Sequence, residues 1–361
     1  MSAKPMSPNF FHCPPLSRQD EQRFKDLGVA AAYELAEIAQ LGDGPIRWTL
    51  DSNEHSMKIF TGKATDTRYP PFTATPHLST IQVVGTMPEV FDLFRSRTTD
   101  EAKQCCRRFG HVLEDAVNLY SIVPATDEMP HESIDIVWRG FKPVMDKILT
   151  RRDACLLLVN HGFEFNGKHV WVRCLKSLIM PCCPELPGFV RMTIQFSGYV
   201  FVESVKPGYI DVACISQGDA KGSLGEYAPW LVEASLRKRV SHVVDIDRFL
   251  RENRLSKTPF LKSDEVKPTA LAQACNLCSR RFGPLSKKIN CLKCGEVYCH
   301  RCIREWEVKN RGFDARAHVC TICALGKRDS GEASVLWRSS SRLNDSSSNS
   351  SDGLMTPMSQ G

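Results

Sequence analysis

From Ser17 to Gln40 the apolar residues Phe24, Leu27, Leu35 and Ile38 recur at roughly helical spacing, and Gly42 and Gly44 close the run. Three β-like runs follow, PIRWTL, MKIFT and STIQVV, each rich in β-branched or aromatic residues and separated by polar turns. Two helical stretches come next, PEVFDLFRS with Pro88 at its start and TTDEAKQCCRRF. Six further strands are predicted: NLYSIV, SIDIVWRG, ACLLLVNHGFEF, KHVWVRCLKSLI, FVRMTIQFSGYVFVE and YIDVACIS. Asn166 and Gly167 separate the third from the fourth, and Asn-Gly is a hairpin signal because both residues tolerate positive φ. After the turn QGDAKGSLG, Val232, Leu236, Val240, Val243, Ile246 and Leu250 step by three or four, which predicts one long amphipathic helix from about Tyr227 to Glu252. The order is that of an α+β fold with an antiparallel sheet and a C-terminal helix laid on it.

Beyond that helix the pattern fades. Residues 257–270 are polar, carry two prolines and read as a linker, and residues 1–16 are Pro-rich and irregular. Residues 329–361 contain DSSSNSSDG and little to bury, so disorder is expected there. The net charge of +6 is modest and no long run of like charge occurs, so a nucleic-acid partner is not expected. No window offers about 18 uncharged apolar residues and no secretory signal pattern opens the chain, so it is not expected to be transmembrane or secreted.

Composition changes the picture at one place. Of the 16 cysteines, eight fall between Cys275 and Cys323 in C-x-x-C pairs, spaced C-x2-C-x12-C-x2-C-x4-C-x2-C-x17-C-x2-C. Cys275, Cys278, Cys291, Cys294, Cys299, Cys302, Cys320 and Cys323 supply ligands for two closed tetrahedral zinc sites. A polar segment of this size has too little core to fold unaided, whereas a structural zinc contributes on the order of 10 kcal/mol of apparent binding energy. Metal ligation in a reducing compartment accounts for the clustering better than disulfides.

The order of elements over residues 17–256 resembles the START lipid-binding domains, as do the stretches VVGTMPEVFDLF, TRRDACLLLV, GFVRMTIQFSGYVFVES and DVACISQGDAKGSL. That resemblance implies a helix-grip fold, in which a curved antiparallel sheet wraps an apolar cavity closed by the C-terminal helix, with a lipid as ligand. A hydrocarbon gains about 0.8 kcal/mol per buried CH₂ in such a pocket. Val170, Val172 and Cys174, or Leu156 and Leu158, are candidates for its wall. No nucleophile elbow, phosphate loop or paired acidic motif occurs, and Glu164, His161 and His169 read as sheet-surface residues, so no enzymatic activity is expected.

Residues 271–328 resemble the FYVE zinc finger, which is cross-braced. The resemblance implies that Cys275, Cys278, Cys299 and Cys302 hold one ion and the other four cysteines the second; spacing alone leaves a sequential pairing open. Phe282, the basic pair Lys287 and Lys288, Gly295 and Tyr298 agree with the family pattern. The family's lipid-reading residues are mostly absent. Val266 and Thr269 stand where its Trp and Asp are expected, Ile289 and Asn290 replace two histidines, and Leu292 and His318 replace arginines. Arginine forks donors onto a phosphate and histidine adds directional ones, so charge survives at Lys287 and Lys288 while the geometry for reading phosphatidylinositol 3-phosphate does not. Leu285 occupies the loop that the family uses as a membrane wedge.

The expectation is therefore a non-enzymatic lipid-binding, lipid-transfer or adaptor protein, cytoplasmic, peripheral on endosomal or other intracellular membranes, with an anionic or phosphoinositide-bearing surface as partner. The combination resembles the START-plus-FYVE proteins of oomycetes. Two rivals stand beside it. A RING-type finger would make the chain a zinc-dependent ubiquitin ligase, although its usual ligand set includes a histidine where this sequence has cysteine. A scaffold with a filled START-like core would bind protein alone.

Overall fold

Alternating apolar positions fix which face each strand buries, and the strands assemble accordingly in the computed structural model, which describes residues 5–54, 57–69, 72–109, 113–142, 150–222 and 228–326. The Ser-rich tail 329–361 and the expected helix start at Tyr227 lie outside the described residues. The chain divides into two compact units, Met1–Leu250 and Arg251–Gly361.

The first unit opens with α1 (Arg18–Ile38), whose first turn is capped by Ser17 Oγ accepting from the Asp20 N–H at 3.1 Å. There follow β1 (Ile46–Glu54), β2 (Met57–Ala64) and β3 (His77–Val84), then α2 (Met87–Phe94) and α3 (Thr99–Arg108), each opened by a threonine capping box. Next come β4 (Leu113–Val123), β5 (Ser133–Phe141), β6 (Arg151–Phe165), β7 (Lys168–Ser177), β8 (Phe189–Arg191), β9 (Thr193–Glu203) and β10 (Tyr209–Asp219). The helices α4 (Pro229–Ser241) and α5 (Val244–Ser256) end the series, α5 belonging to this unit as far as Leu250. The ten strands form one sheet in the order β1-β2-β3-β10-β9-β7-β6-β5-β4, antiparallel throughout except for β8, which pairs parallel with β6. Register shifts in β1, in β9 against β10 and along β4 mark bulges, which bend a sheet and increase its twist. The α+β class expected from the sequence is the one observed.

Asn166 and Gly167 form the β6–β7 turn with φ of 50° and 71°, the positive values that a two-residue hairpin requires. Two expected elements are divided. The run FVRMTIQFSGYVFVE breaks at Met192, where β8 leaves to pair with β6. The single long helix is two: the Val243, Asp245 and Ile246 N–H groups reach back only three residues, and the Val240 carbonyl also accepts from buried Ser79 Oγ at 2.7 Å. A hydrogen bond from the sheet thus takes hold of the helix where its bonding tightens.

The sheet has two covered faces. On one, α1 contributes Phe24, Ala32, Leu35 and Ile38 to a cluster with Trp48, Leu78, Ile136 and Trp138. Gly28 permits the close approach, since a Cβ there would meet Ile134 Cδ1 at 2.9 Å. On the other, α2, α4 and α5 pack Val90, Phe94, Val240, Ile246 and Leu250 against Ile81, Trp171, Phe201 and Val212. The β6–β7 register puts the two sets of expected cavity-wall residues on opposite faces. Val170, Val172 and Cys174 lie under α1, whereas Leu156 and Leu158 share the other face with Leu175.

In the second unit, β11 (Lys288–Asn290) pairs with β12 (Val297–Cys299), and β13 (Ile303–Asn310) with β14 (Phe313–Cys320), which leads into the short α6 (Thr321–Leu325). Residues 257–270 do not run free of this unit. Leu261 N donates to Leu292 O at 2.9 Å and Lys267 N to Gly295 O at 3.0 Å, so the polar stretch is fastened along the cysteine-bearing turns.

Candidate functional site

Each C-x-x-C pair forms a turn that aims two sulfurs the same way. Ser279 N bonds back to Cys275 O at 2.9 Å and Gly295 N to Cys291 O at 2.8 Å, and the residues after the second cysteines, Ser279 and Gly295, take φ of 57° and 78°. The third pair closes with Cys302 N on Cys299 O at 2.9 Å, and the fourth with Cys323 N on Cys320 Sγ at 3.4 Å.

The eight sulfurs gather in two sets, Cys275 with Cys278, Cys299 and Cys302, and Cys291 with Cys294, Cys320 and Cys323, each set within 4.8 Å. The first and third pairs share one set and the second and fourth the other, the crossed arrangement. The spacing fits zinc: Zn–S bonds of about 2.3 Å put tetrahedral sulfurs about 3.8 Å apart, and Cys278 Sγ lies 3.7 Å from Cys299 Sγ. One thiol of the first set is eased toward ionisation by its surroundings. Burial opposes ionisation of Cys275, but the backbone N–H groups of Cys278, Cys299 and Leu277 outweigh it and bring the thiol down to about 7. Cys320 N adds a 3.3 Å bond to Cys291 Sγ.

The residues that depart from the lipid-reading pattern have other employment. Ile289 and Leu292 pack against the cysteine core. The Asn290 amide donates to Lys267 O at 2.8 Å and to Gly295 O at 3.0 Å, tying the preceding stretch to the second knuckle. The basic pair divides: Lys288 Nζ donates to Thr269 O at 3.3 Å and lies over the Phe282 ring, whereas Lys287 is exposed. Leu285 is 100% exposed, in a turn closed by Ser286 N on Gly283 O at 3.0 Å. Lys293, which sequence reasoning passed over, is a structural pin, its ammonium donating to the carbonyls of Leu255, Thr258 and Pro259. Its position between Cys291 and Cys294 gives no sequence signal for that role.

In the first unit a hollow of about 90 Å³ is lined by Phe91, Phe94, Asp135, Asn160 and Trp171 among others. A more open cleft of about 540 Å³ runs beside the end of α1, where Ala36, Leu41, Val170, Val200 and Val202 line it. The face opposite α1 also carries charge that the sequence did not flag. Burial pulls the guanidinium groups of Arg139, Arg173 and Arg239 down from their ordinary value, and the carboxylate facing the first two, Asp135, is itself pushed up by burial. Arg173 Nη1 donates to Asn160 Oδ1 at 2.8 Å, and Arg139 Nη1 to Trp138 O at 2.9 Å. His161 is held by Glu132 at 2.6 Å, while Glu164 and His169 face each other, exposed, across β6 and β7.

Residues 265–327 match the FYVE zinc finger family model. Lateral signaling target protein 2 of Caenorhabditis elegans is 27% identical over 64 residues, 18% of this chain and 10% of that protein. Its homolog in Brugia malayi is 30% identical over 61 residues, 17% of this chain and 10% of that protein. The matched stretch thus spans about a tenth of the length of these curated relatives. Among solved structures, human StAR-related lipid transfer protein 5 is 16% identical with a TM-score of 0.48, covering 64% of this chain and 98% of that one. Human STARD10 is 15% identical with a TM-score of 0.44, covering 68% and 83%. With a FYVE family match and two four-cysteine clusters, the cofactor of the finger is zinc, two ions.

Proposed function

We propose that this chain is a non-enzymatic lipid-binding adaptor, whose finger docks on anionic membrane surfaces and whose first unit receives a lipid. The observation that carries the reading is Leu285, fully exposed two residues before exposed Lys287 in a segment that matches the FYVE family. An apolar tip beside a base, on a turn anchored by zinc knuckles, suits shallow insertion with electrostatic attraction. Between Cys275 and Arg328 there are 12 Lys/Arg against 4 Asp/Glu, a charge of +8 that falls to about +4 once two zinc ions with four thiolates each are counted. The side chains at 289, 290 and 292 are engaged in packing and backbone bonds, which favours attraction to charge over stereospecific reading of one phosphoinositide. Peripheral attachment to endosomal or other intracellular membranes follows from this reading.

For the first unit, the support is the set of guanidinium groups of buried Arg139 and partly buried Arg173 and Arg239, which desolvation pulls down and which Asp135 faces at the first two, an arrangement that suits a ligand with an anionic headgroup. Vesicle flotation tests the docking. Retention on phosphatidylserine vesicles and on phosphatidylinositol 3-phosphate vesicles of matched charge, with none on phosphatidylcholine, supports it; equal retention on all three refutes it. Native mass spectrometry of the purified chain tests the ligand, and a reproducible absence of bound or exchangeable lipid favours the scaffold.

A further inference from the structure

The irregular segment ahead of α1 brings a cysteine against another 169 positions away: Cys13 Sγ and Cys182 Sγ lie 2.8 Å apart. A disulfide bond measures about 2.0 Å, so closing it takes less than an ångström of movement. Both residues are partly exposed, and an oxidant can reach them. The next cysteine, Cys183, is buried and meets buried Cys155 instead, with Arg191 Nη2 at 3.9 Å from its sulfur. The vicinal pair therefore serves one sulfur to the surface and one to the core. These four do not form a metal centre, since the groups able to hold an ion among the described residues are the two in the finger.

We propose that Cys13 and Cys182 are a redox clasp, a pair of thiols that closes to a disulfide under peroxide or glutathione disulfide and reopens under reduced thiols. With hydrogen peroxide, one thiol loses its proton and attacks an oxygen as the thiolate, the O–O bond breaks, a sulfenic acid forms, and the hydroxide released takes up that proton and leaves as water. The second thiol then attacks that sulfur, the S–S bond forms and a second water departs, so two thiols and one peroxide give one disulfide and two waters. With glutathione disulfide, two exchanges give the same bond and two glutathione thiols. Burial, then the adjoining Cys182 sulfur, push the Cys13 thiol up to about 12, so Cys13 is a neutral thiol at physiological pH.

The clasp has something to hold. Residues 5–16 have no helix or strand and are held on the sheet by side-chain contacts in place of a backbone ladder. Met6 N donates to Asp115 Oδ2 at 2.7 Å, the Tyr120 hydroxyl donates to Pro14 O at 2.7 Å, and the Phe11 ring sits 5.9 Å from that of Trp138. Lys103 Nζ also donates to Met6 O, and Met6, Phe11 and Leu16 pack against the core under α1. Closing Cys13 onto Cys182 adds a covalent link to these contacts over β4 and β5, and opening it leaves the strap held non-covalently.

The test uses the full, zinc-loaded chain, reduced and then exposed to graded hydrogen peroxide or to glutathione disulfide. Remaining thiols are blocked under denaturing conditions and the digest is read by mass spectrometry. The expected result is a linked peptide joining Cys13 to Cys182, with Cys155 and Cys183 recovered as blocked thiols. Limited proteolysis within residues 5–16 should slow by at least about tenfold on oxidation. Cys182→Ser should abolish both the link and the slowing, and Cys13→Ser, placed in the strap, should abolish the link without touching the sheet. The proposal is overturned if Cys13 stays unlinked at oxidant levels that consume other exposed thiols. It is equally overturned if Cys13 links to finger cysteines as often as to Cys182, or if proteolysis slows as much in either variant.

Discussion

Asp153 and Arg191 form a forked ion pair, Nε to Oδ1 at 2.9 Å and Nη2 to Oδ2 at 2.9 Å, around a carboxylate side chain with no accessible surface. Trp138 Nε1 donates to the same carboxylate at 2.7 Å, and Arg191 also reaches the carbonyls of Cys183 and Pro184. The pair is the bolt that holds β8 in parallel register beside β6, because Asp153 and Arg191 are partners in that ladder. Removing the carboxylate strands a cation whose side chain is only 17% exposed together with a buried indole N–H. Asp153→Ala should therefore cost the first unit about 3–5 kcal/mol, read by denaturant unfolding, while the zinc content of the chain stays at two. A loss under 1 kcal/mol would show that the bolt is ornamental.

Zinc should be structural and divided crosswise. Elemental analysis should find two ions per chain, and Cys278→Ser and Cys299→Ser should impair the same ion although 21 residues separate them. Chelation should abolish the structure of residues 271–326 and leave the melting of the first unit in place. Loss of both transitions together would contradict that division.

The two lysines of the basic pair should behave differently. Lys287→Ala should weaken binding to anionic vesicles about fivefold, near 1 kcal/mol for one base at a charged surface, with the effect shrinking as salt rises. Lys288→Ala should instead lower the melting temperature of the finger, because its ammonium is tied to Thr269 O and the Phe282 ring. Leu285→Ala should reduce vesicle retention without changing stability, since the side chain touches solvent alone.

His77 gives the first unit a sensitivity to acid. Burial lowers its pKa below the ordinary 6.5, with Thr75 O at 2.9 Å and Glu233 at 3.8 Å pulling the other way. The folded state thus binds the proton less readily than the unfolded chain, so this contribution is fully present above about pH 6.5 and declines as pH falls below it. His77→Gln should flatten the melting-temperature profile between about pH 7 and pH 5. An unchanged slope in that variant would assign the sensitivity elsewhere.

The sequence by itself determined what depends on near neighbours. Runs rich in β-branched and aromatic residues located the strands, Asn166 and Gly167 dictated a hairpin, and the C-x-x-C spacing committed eight cysteines to metal, since two sulfurs separated by two residues meet in one turn. What links distant residues only the tertiary structure decided. Crossed pairing of the cysteines rests on long-range bonds between remote knuckles, Asn276 N to Val297 O at 3.0 Å beside the first set and Leu292 N to His318 O at 2.9 Å with Cys320 N to Cys291 Sγ at 3.3 Å in the second. Which strand positions lie under α1 was settled by register, and a shift of one residue exchanges faces, so Val172 and Leu158 parted although both read as inward. The break between α4 and α5 came from a serine on β3, and the contact between Cys13 and Cys182 from a strap crossing the sheet. Local chemistry is written in adjacent residues, but a hydrogen bond or a sulfur contact across more than a hundred residues exists only once the fold has brought its two ends together.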